Sequence, residues 1–335
     1  MSPLARRVIT IPLYAVLLVA ALVVLPLALP IAALVDLVRR SRFAASRALL
    51  FFVLYLGCEV AGIVTSALLW LAGRVPGVSQ ERYLDANFRL QCRWARTLLR
   101  GAARIFSLRL EVEGEASVLP GPVLLFIRHA SVGDTVLPAV LLSDRHGLRL
   151  RYVLKRELLW DPCLDIVGNR LPNYFVDRES ENSGEEVAAV SRLAADLGPT
   201  DGVLIYPEGT RFSEAKRARI LEKMERSGAH ALAERARGFR RVLPPKLGGP
   251  LALIEASPGV DVVFCVHVGF DAVTRFSEFL AGDLVGRSIR VSFWRVPAAE
   301  IPADREARVG WLFDQWERVD RWVAASQPPG PTASA

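Results

Sequence analysis

Side chains that form disulfides or bind metals are scarce in this chain of 335 residues, which has four cysteines and four histidines. The cysteines include no C-x-x-C pair, so they are typical of free thiols in a reducing compartment rather than of a disulfide framework. The histidines show neither HExxH spacing nor cysteine partners, and the sequence therefore predicts no metal site. No nucleic-acid recognition motif occurs, which argues against a nucleic-acid partner despite the basic composition.

Apolar and basic residues are abundant instead, with a net charge of +7, a pI near 9.6 and a mean hydropathy of +0.28. Residues 9–35 contain no charged side chain, and residues 48–73 contain only Glu59. Each run exceeds the roughly 20 apolar residues that a bilayer crossing needs, so residues 1–73 are predicted to form a membrane anchor of one or two hydrophobic helices. A cleaved signal peptide fits less well, because the first run is much longer than the apolar core of a signal peptide.

Two questions about this anchor stay open at the level of sequence. Both runs could cross the bilayer, or they could form a hairpin that dips into one leaflet. Glu59 is either a functional carboxylate within the membrane or a side chain of a half-inserted hairpin that reaches lipid headgroups. If both runs cross, the flanking arginines narrowly favour a main domain on the cytoplasmic side, and we expect it at a cell inner membrane.

Residues 74–106 are predicted to contain a linker and a basic amphipathic helix. The linker is rich in turn-forming residues, and the helix covers residues 81–105. Its stripe of arginines indicates either an element that faces lipid headgroups or a helix that packs on the main domain with a solvated face. The stripe consists of Arg82, Arg89, Arg93, Arg96, Arg100 and Arg104.

From residue 108 onward, short apolar runs alternate with helix-like stretches. Six runs are predicted strands, at residues 123–127, 150–154, 173–177, 202–206, 260–268 and 288–294. Because they are apolar almost throughout, they are typical of strands buried on both faces. They predict an α/β domain over residues 107–325, in which helices flank a mainly parallel sheet. The tail, residues 326–335, is predicted to be disordered.

The first candidate site is the segment RHASVGD (128–134), which directly follows a predicted strand. His129 and Asp134 are five residues apart, which is not a same-face spacing on a regular helix. At a strand-to-helix junction both can still converge. The carboxylate would then hold one imidazole nitrogen protonated and leave the other free to accept a proton. Taken alone, a solvated surface histidine explains the pair as well.

The second candidate is the segment YPEGTRFS (206–213), which follows another predicted strand. Gly209 permits close approach of the backbone to a ligand, and Arg211 can bind a phosphate through two parallel hydrogen bonds. Lys155 and Arg178 each follow a further strand, and cations at successive strand ends suit an anionic headgroup. A turn with an internal ion pair, and solvated charges elsewhere, are the alternatives.

In combination, these segments resemble the motifs of the glycerol-phosphate and lysophosphatidate acyltransferase superfamily, in the same order and at fitting distances. RHASVGD resembles the NHxxxxD motif, YPEGTRFS resembles the FPEGTR block, and KRELLWDP with NYFVDR resembles the block between them. VLPPKLGG (242–249) and WLFDQWERVDRWV (311–323) are similar to segments of the branch that contains 1-acylglycerol-3-phosphate and lysocardiolipin acyltransferases. The likeness covers about residues 105–325.

The resemblance implies an enzyme that moves a fatty acyl group to the free hydroxyl of a lysophospholipid such as 1-acylglycerol-3-phosphate. The donor would be acyl-CoA or acyl carrier protein, with no other cofactor, and membrane phospholipid would be a partner. The resemblance also implies that His129 is the general base and that Asp134 orients it. The implied substrate-binding residues are Lys155, Arg178, Glu208, Gly209, Thr210 and Arg211.

The sequence departs from the superfamily pattern at three positions. Arg128 stands where an asparagine usually precedes the histidine, Lys246 replaces an arginine, and Pro250 replaces an aromatic residue. These changes concern the acceptor more than the reaction, so an acyltransferase with a different lysolipid acceptor is one alternative. Another is a non-catalytic lipid-binding membrane protein of the same fold, against which the intact His129 and Asp134 argue. A hydrolase is disfavoured because the chain has no G-x-S-x-G elbow.

Overall fold

The structure is a computed structural model that describes residues 2–131, 133–177, 183–272 and 282–326. Arg178 and the tail from residue 327 onward therefore lie outside the described residues. The chain divides into two compact units that interleave along the sequence. Unit 1 comprises residues 1–109, 135–178 and 272–288, and unit 2 comprises residues 110–134, 179–271 and 289–335.

Helices and strands follow one another along the described residues. The helices are α1 (Pro3–Arg39), α2 (Ala44–Ala72), α3 (Gln80–Phe106), α4 (Val136–Pro138), α5 (Pro162–Gly168), α6 (Ser183–Arg192), α7 (Glu214–Arg226), α8 (His230–Arg237), α9 (Gly248–Ala256) and α10 (Arg305–Ser326). The strands are β1 (Arg109–Glu113), β2 (Val123–Ile127), β3 (Arg149–Lys155), β4 (Tyr174–Val176), β5 (Asp201–Ile205), β6 (Asp261–Val268) and β7 (Ser288–Val296).

In unit 1, the predicted anchor forms two helices, α1 and α2, and both are long and apolar enough to cross a membrane. The turn between them is held by Asp36, which is buried. Its carboxylate accepts the N–H of Ala45 at 2.9 Å and the N–H of Ser46 at 2.8 Å. Because a carboxylate here satisfies N–H groups at the start of α2, the hairpin has a defined turn rather than a loose linker.

Helix α2 runs antiparallel to α3 and packs on it from end to end. Near the start of α2, Phe51 makes an edge contact with Phe106 at the end of α3, with ring centroids 5.6 Å apart. In the middle, Trp94 donates its indole N–H to Glu59 at 2.8 Å. The apolar face of α3 therefore packs within unit 1. The arginine stripe lies on the other side, exposed except for Arg96, which is half-buried.

Glu59 is fully buried in unit 1 and does not reach solvent. Besides Trp94, its carboxylate accepts the backbone N–H of Cys163 at 3.3 Å, at the start of α5. A glutamate that reaches lipid headgroups, one of the two readings of the sequence, is therefore wrong. The side chain instead joins α2 to α3 and α5, because a buried carboxylate requires hydrogen-bond donors.

Unit 2 contains a mixed sheet in the order β1-β7-β6-β2-β5. Strand β2 is parallel to both β5 and β6, β6 is antiparallel to β7, and in unit 1 β3 is parallel to β4. Helices α9 and α10 pack on the strands of unit 2. The predicted mainly parallel sheet flanked by helices is thus confirmed, and all six predicted strands are present. Strand β1 was not predicted, because its residues alternate between exposed and half-buried and form no apolar run.

The core of unit 2 is centred on Phe264 of β6. Its ring stacks on Trp294 with centroids 5.2 Å apart, meets Phe126 of β2 edge-on at 5.7 Å, and lies 6.5 Å from the ring of Trp316. Aromatic contacts of this kind add to the burial of the strands themselves. They fix β2 and β6 side by side, so the ends of these two strands form a rigid base for the loops that follow.

Candidate active site

His129 and Asp134 meet at the end of β2. His129 lies in the loop after the strand, and Asp134 lies in the 3-10 turn Gly133–Thr135. Nδ1 of His129 is 3.1 Å from Oδ2 of Asp134. The imidazole is 13% exposed and packs beside the ring of Tyr206, with centroids 4.7 Å apart. Among the described residues, none forms a hydrogen bond with Nε2 of His129.

Asp134 is fully buried and is surrounded by hydrogen-bond donors. Oδ2 accepts the N–H of Ala130 at 2.5 Å and the N–H of Ser131 at 2.7 Å, and Oδ1 accepts the Ser131 hydroxyl at 2.9 Å. Burial alone would raise the pKa of Asp134, but His267, His129 and the Ser131 N–H outweigh it and lower this pKa. The group is therefore an ionised carboxylate that acts only as an acceptor.

An acceptor-only partner decides the tautomer of His129. Because Asp134 offers no proton, Nδ1 must carry the hydrogen and donate it, which leaves the lone pair on Nε2. Nε2 is also the nitrogen that no described residue engages. The pair therefore has the arrangement of a general base held in one tautomer by a buried carboxylate.

Arg128, the residue that departs from the motif, is buried and binds three parts of unit 2. Its guanidinium donates to the carbonyl of His267 at 2.6 Å, donates to the carbonyl of Arg241 at 3.3 Å, and forms an ion pair with Asp271. It therefore joins the end of β2 to the end of β6. Sequence reasoning gave it no role, although an arginine directly after a fully apolar strand was a signal that it would need buried partners.

Glu208 supports the histidine loop and is not paired with Arg211. It is buried, and its two oxygens accept the backbone N–H of His129 at 2.8 Å and of Leu243 at 2.9 Å. Burial raises the pKa of Glu208 to about 7, although Arg128 and the two N–H groups partly offset this. The turn with an internal ion pair is wrong, since no ion pair joins these two described residues. The carboxylate of Glu208 instead lies inside unit 2, where it accepts two backbone N–H groups.

Three basic residues surround the turn after β5. Gly209 has a φ of +68°, and a Cβ at this position would lie 2.8 Å from Cε of Lys246, so the lysine stem crosses directly over the glycine. Nζ of Lys216 donates to the Thr210 hydroxyl and to the Arg211 carbonyl, each at 3.0 Å. Arg211 is half-buried. The two lysines were not among the predicted site residues, and only the similarity of residues 242–249 to a family segment pointed to Lys246.

Helix α10 holds the strand-like segment that contacts Glu208. The carboxylate of Asp320 accepts the N–H of Arg241 at 2.6 Å and of Val242 at 3.1 Å. The indole N–H of Trp316 donates to the carbonyl of Leu243 at 2.9 Å. A continuous set of hydrogen bonds thus runs from α10 through Leu243 and Glu208 to the backbone of His129.

The predicted substrate-binding residues fall into three groups. The four on the turn after β5 lie in unit 2 with His129, namely Glu208, Gly209, Thr210 and Arg211. Lys155 lies in unit 1, where it is half-buried at the end of β3. Arg178 lies outside the described residues. A phosphate-binding role for these side chains stays a prediction.

Comparison with known proteins identifies related sequences and a related fold. Residues 109–262 match the family model described as Acyltransferase. The chain is 23% identical over 271 residues to 1-acyl-sn-glycerol-3-phosphate acyltransferase epsilon of Mus musculus, over 77% of this chain and 73% of that protein. It is 27% identical over 173 residues to 1-acyl-sn-glycerol-3-phosphate acyltransferase gamma of Mus musculus, over 51% of this chain and 44% of that protein.

Two further comparisons extend over most of the chain. Lysocardiolipin acyltransferase 1 of Danio rerio is 19% identical over 258 residues, which are 73% of this chain and 62% of that protein. The chain thus spans less than two thirds of this relative and of the gamma relative. The crystal structure of the 1-acyl-sn-glycerophosphate (LPA) acyltransferase PlsC from Thermotoga maritima has a TM-score of 0.54 at 13% identity, and it covers 84% of this chain and 97% of that one. The fold is therefore shared.

Proposed function

We propose that this chain transfers a fatty acyl group from a thioester to the free hydroxyl of a lysophospholipid, as expected from its resemblance to the glycerol-phosphate and lysophosphatidate acyltransferase superfamily and from the match of residues 109–262 to the Acyltransferase family model. The observation that carries this proposal is the pair formed by His129 and the buried Asp134, with Nε2 of the imidazole unengaged among the described residues. The acceptor we propose is 1-acylglycerol-3-phosphate or a close relative, and the donor is acyl-CoA or acyl carrier protein.

In the proposed reaction, Nε2 of His129 takes the proton of the acceptor hydroxyl while the hydroxyl oxygen attacks the thioester carbonyl. A C–O bond forms, the C–S bond breaks, and the protonated imidazole returns the proton to the departing thiolate. General-base assistance of this kind contributes about 10² to 10⁴ in rate. Asp134 stabilises the positive charge that His129 carries between the two proton transfers. No covalent acyl-enzyme is required.

The acceptor phosphate is proposed to bind beside the turn after β5. Arg211 would hold it with two parallel hydrogen bonds, and Lys155 and Arg178 are proposed as further contacts. Glu208 acts on the site indirectly, since its oxygens are occupied by the backbone of His129 and Leu243. Gly209 and Thr210 shape the turn on which Arg211 is carried.

The test is transfer from a labelled thioester, measured by mass spectrometry with a panel of lysophospholipid acceptors. His129→Ala should lower kcat/KM by at least about 10² with the fold intact, because the general base is removed. His230→Ala, at an exposed position at the start of α8, is the matched control and should leave the rate unchanged. A well-folded His129→Ala protein with near-normal turnover would contradict the mechanism.

The apolar hairpin is proposed to enter one leaflet rather than to cross the bilayer, with the remainder of the chain on the cytoplasmic face of a cell inner membrane. Helix α2 packs along the whole of α3, so a crossing α2 would carry the exposed arginines of α3 into the membrane. An arginine at the bilayer centre costs about 2.5–3.5 kcal/mol or more. In addition, Arg6 and Arg7 at the start of α1 bind Asp165 of α5, at 2.5 and 2.8 Å.

Labelling at the hairpin turn distinguishes the two arrangements. A cysteine introduced at the exposed Arg40 should react with a membrane-impermeant maleimide only in inside-out vesicles. Reaction only in sealed right-side-out vesicles would show that the turn lies across the membrane. The parent protein, whose cysteines are buried or half-buried, provides the background signal.

A further inference from the structure

A second histidine lies behind the candidate base. Strands β2 and β6 are parallel, and Ile127 pairs with Cys265. His129 and His267 each follow this pair by two residues, so they lie side by side. His267 is fully buried. Its Nε2 lies 3.1 Å from the carbonyl oxygen of Arg128 and 3.4 Å from Oδ1 of Asp134. The neighbours of Nε2 are thus the carbonyl of the residue that precedes His129 and the carboxylate that binds the His129 ring.

The hydrogen of His267 can be placed from these neighbours. A carbonyl oxygen and a carboxylate oxygen are both acceptors, so Nε2 must carry the hydrogen. Nδ1 is buried and has no hydrogen-bond partner among the described residues. His267 therefore donates through Nε2 to the Arg128 carbonyl and toward Asp134.

We infer that His267 is a positioning residue for the acyl transfer proposed above, and that its Nε2–H fixes the carboxylate of Asp134 and the backbone of Arg128 so that Asp134 holds His129 as the base. The inference rests on the proposed function. It concerns a residue that touches neither the acceptor nor the donor in the proposed reaction. Its effect is transmitted through Asp134.

Burial of a histidine at this position has no packing rationale. The rest of β6 beyond Asp261 is apolar, and a valine or leucine would fill the same space without a buried, unpaired nitrogen. The imidazole of His267 adds one hydrogen-bond donor, which is directed at the Arg128 carbonyl and at Asp134. Oδ2 of Asp134 already has three donors, whereas among the described residues Oδ1 has only the rotatable hydroxyl of Ser131 besides His267. His267 therefore restrains the side of the carboxylate that is otherwise least fixed.

The charged and titratable groups around Asp134 come from three elements. The loop after β2 contributes Arg128 and His129, the turn after β5 contributes Glu208, and β6 contributes Cys265 and His267. Of these, only the two histidines are within 3.5 Å of its oxygens. A substitution of His267 should therefore change the rate of the reaction mainly through Asp134.

Two substitutions separate the donor from the volume. The amide nitrogen of glutamine can take the place of Nε2, so His267→Gln should retain kcat within about threefold of wild type. His267→Leu fills the space without a donor and should lower kcat by about 10 to 100-fold, the usual effect of losing an outer-shell hydrogen bond, with little change in KM. Val266→Ala, on the opposite face of β6, is the control for weakened packing. It should lower thermal stability but leave kcat per folded molecule unchanged.

The decisive measurement is made in the Asp134→Asn background, where His267→Leu should have almost no further effect because its target is already altered. Nitrogen NMR of the four histidines gives a readout that needs no substrate. His129 should remain the Nδ1–H tautomer in all three proteins, because Oδ2 of Asp134 keeps its other donors. Its Nδ1–H should exchange with water faster in His267→Leu than in wild type or His267→Gln, because the carboxylate is less restrained. Equal losses of kcat from His267→Leu in both backgrounds, or an unchanged exchange rate, would overturn the inference. Absence of acyl transfer by wild type, with the faster exchange present, would instead refute the proposed function alone.

Discussion

Replacement of Asp134 by asparagine removes a charge from the site while the hydrogen bonds around it decide how the new amide is placed. The backbone N–H groups of Ala130 and Ser131 point at Oδ2 from 2.5 and 2.7 Å and cannot turn away. The amide oxygen must therefore occupy the Oδ2 position, where it still accepts Nδ1–H of His129. The tautomer of the base should survive the substitution, contrary to what a freely rotating amide would allow.

What is lost is the attraction between the carboxylate and the imidazolium that forms during transfer. Two unit charges about 4 Å apart attract by roughly 4 kcal/mol at an effective dielectric constant of about 20. A loss of that size is a factor of about 10³ in rate. Part is retained through the amide dipole, so Asp134→Asn should lower kcat by about 10² to 10³, and KM for the acceptor should change little.

The assay is the initial rate of thioester consumption in the presence of acceptor. Ser131→Ala, which removes one donor to Oδ1 but keeps the charge, is the control and should stay within about tenfold of wild type. A rate of Asp134→Asn within tenfold of wild type would refute this account of Asp134.

Three further outcomes are expected. Glu208→Gln should flatten the pH dependence of thermal stability. Burial raises the pKa of Glu208 in the folded state to about 7 from about 4.3, so wild type loses folding free energy as the pH rises between these values. Parallel Tm curves of variant and wild type would contradict the assignment. Arg211→Lys should raise KM for the lysophospholipid and not for the thioester, because the planar guanidinium is lost while the charge remains. A change in KM for the thioester alone would show that Arg211 binds the donor. Reversal of charge at Arg89, Arg93 and Arg96 should lower activity on anionic vesicles but not on detergent-dispersed acceptor. The protein should remain in the membrane fraction. Equal activity of variant and wild type on the vesicles would show that this face of α3 is only solvated.

The strands and the His129 loop could be predicted from sequence because both are local patterns. Strands β2, β5 and β6 are continuous apolar runs, and the segment 128–134 is read directly after one of them. Strand β1 was not predicted, because its residues alternate only between exposed and half-buried positions. The expected burial on both faces holds for β2, β5 and β6 only, since β3 and β7 alternate between buried and less buried positions and β4 is half-buried.

The partners of the site residues could not be predicted, because they come from distant parts of the chain. His267 is 139 residues from Arg128 along the chain, and Asp320 is 79 residues from Arg241. A single histidine in an apolar strand also has many explanations. Glu208 was predicted to bind substrate, but no sequence pattern marks the two backbone N–H groups that its oxygens accept. The sequence left two readings of Glu59 open, because only the packing of α2 on α3 brings Trp94 to it.

The indole N–H of Trp316 donates to Leu243, and the backbone N–H of His129 donates to Glu208, so the support of the site depends on residues that are translated at different times. Chains grow from the N-terminus at about 5–20 residues per second, and early parts fold before late ones are made. The apolar hairpin of residues 3–72 is therefore delivered to the membrane long before α10 exists. Until Trp316 and Asp320 have been translated, the segment that braces the His129 loop lacks its support. A chain truncated by a stop codon before residue 316 would thus retain the hairpin but lack the hydrogen bonds that support the His129 loop, and we expect it to be inactive.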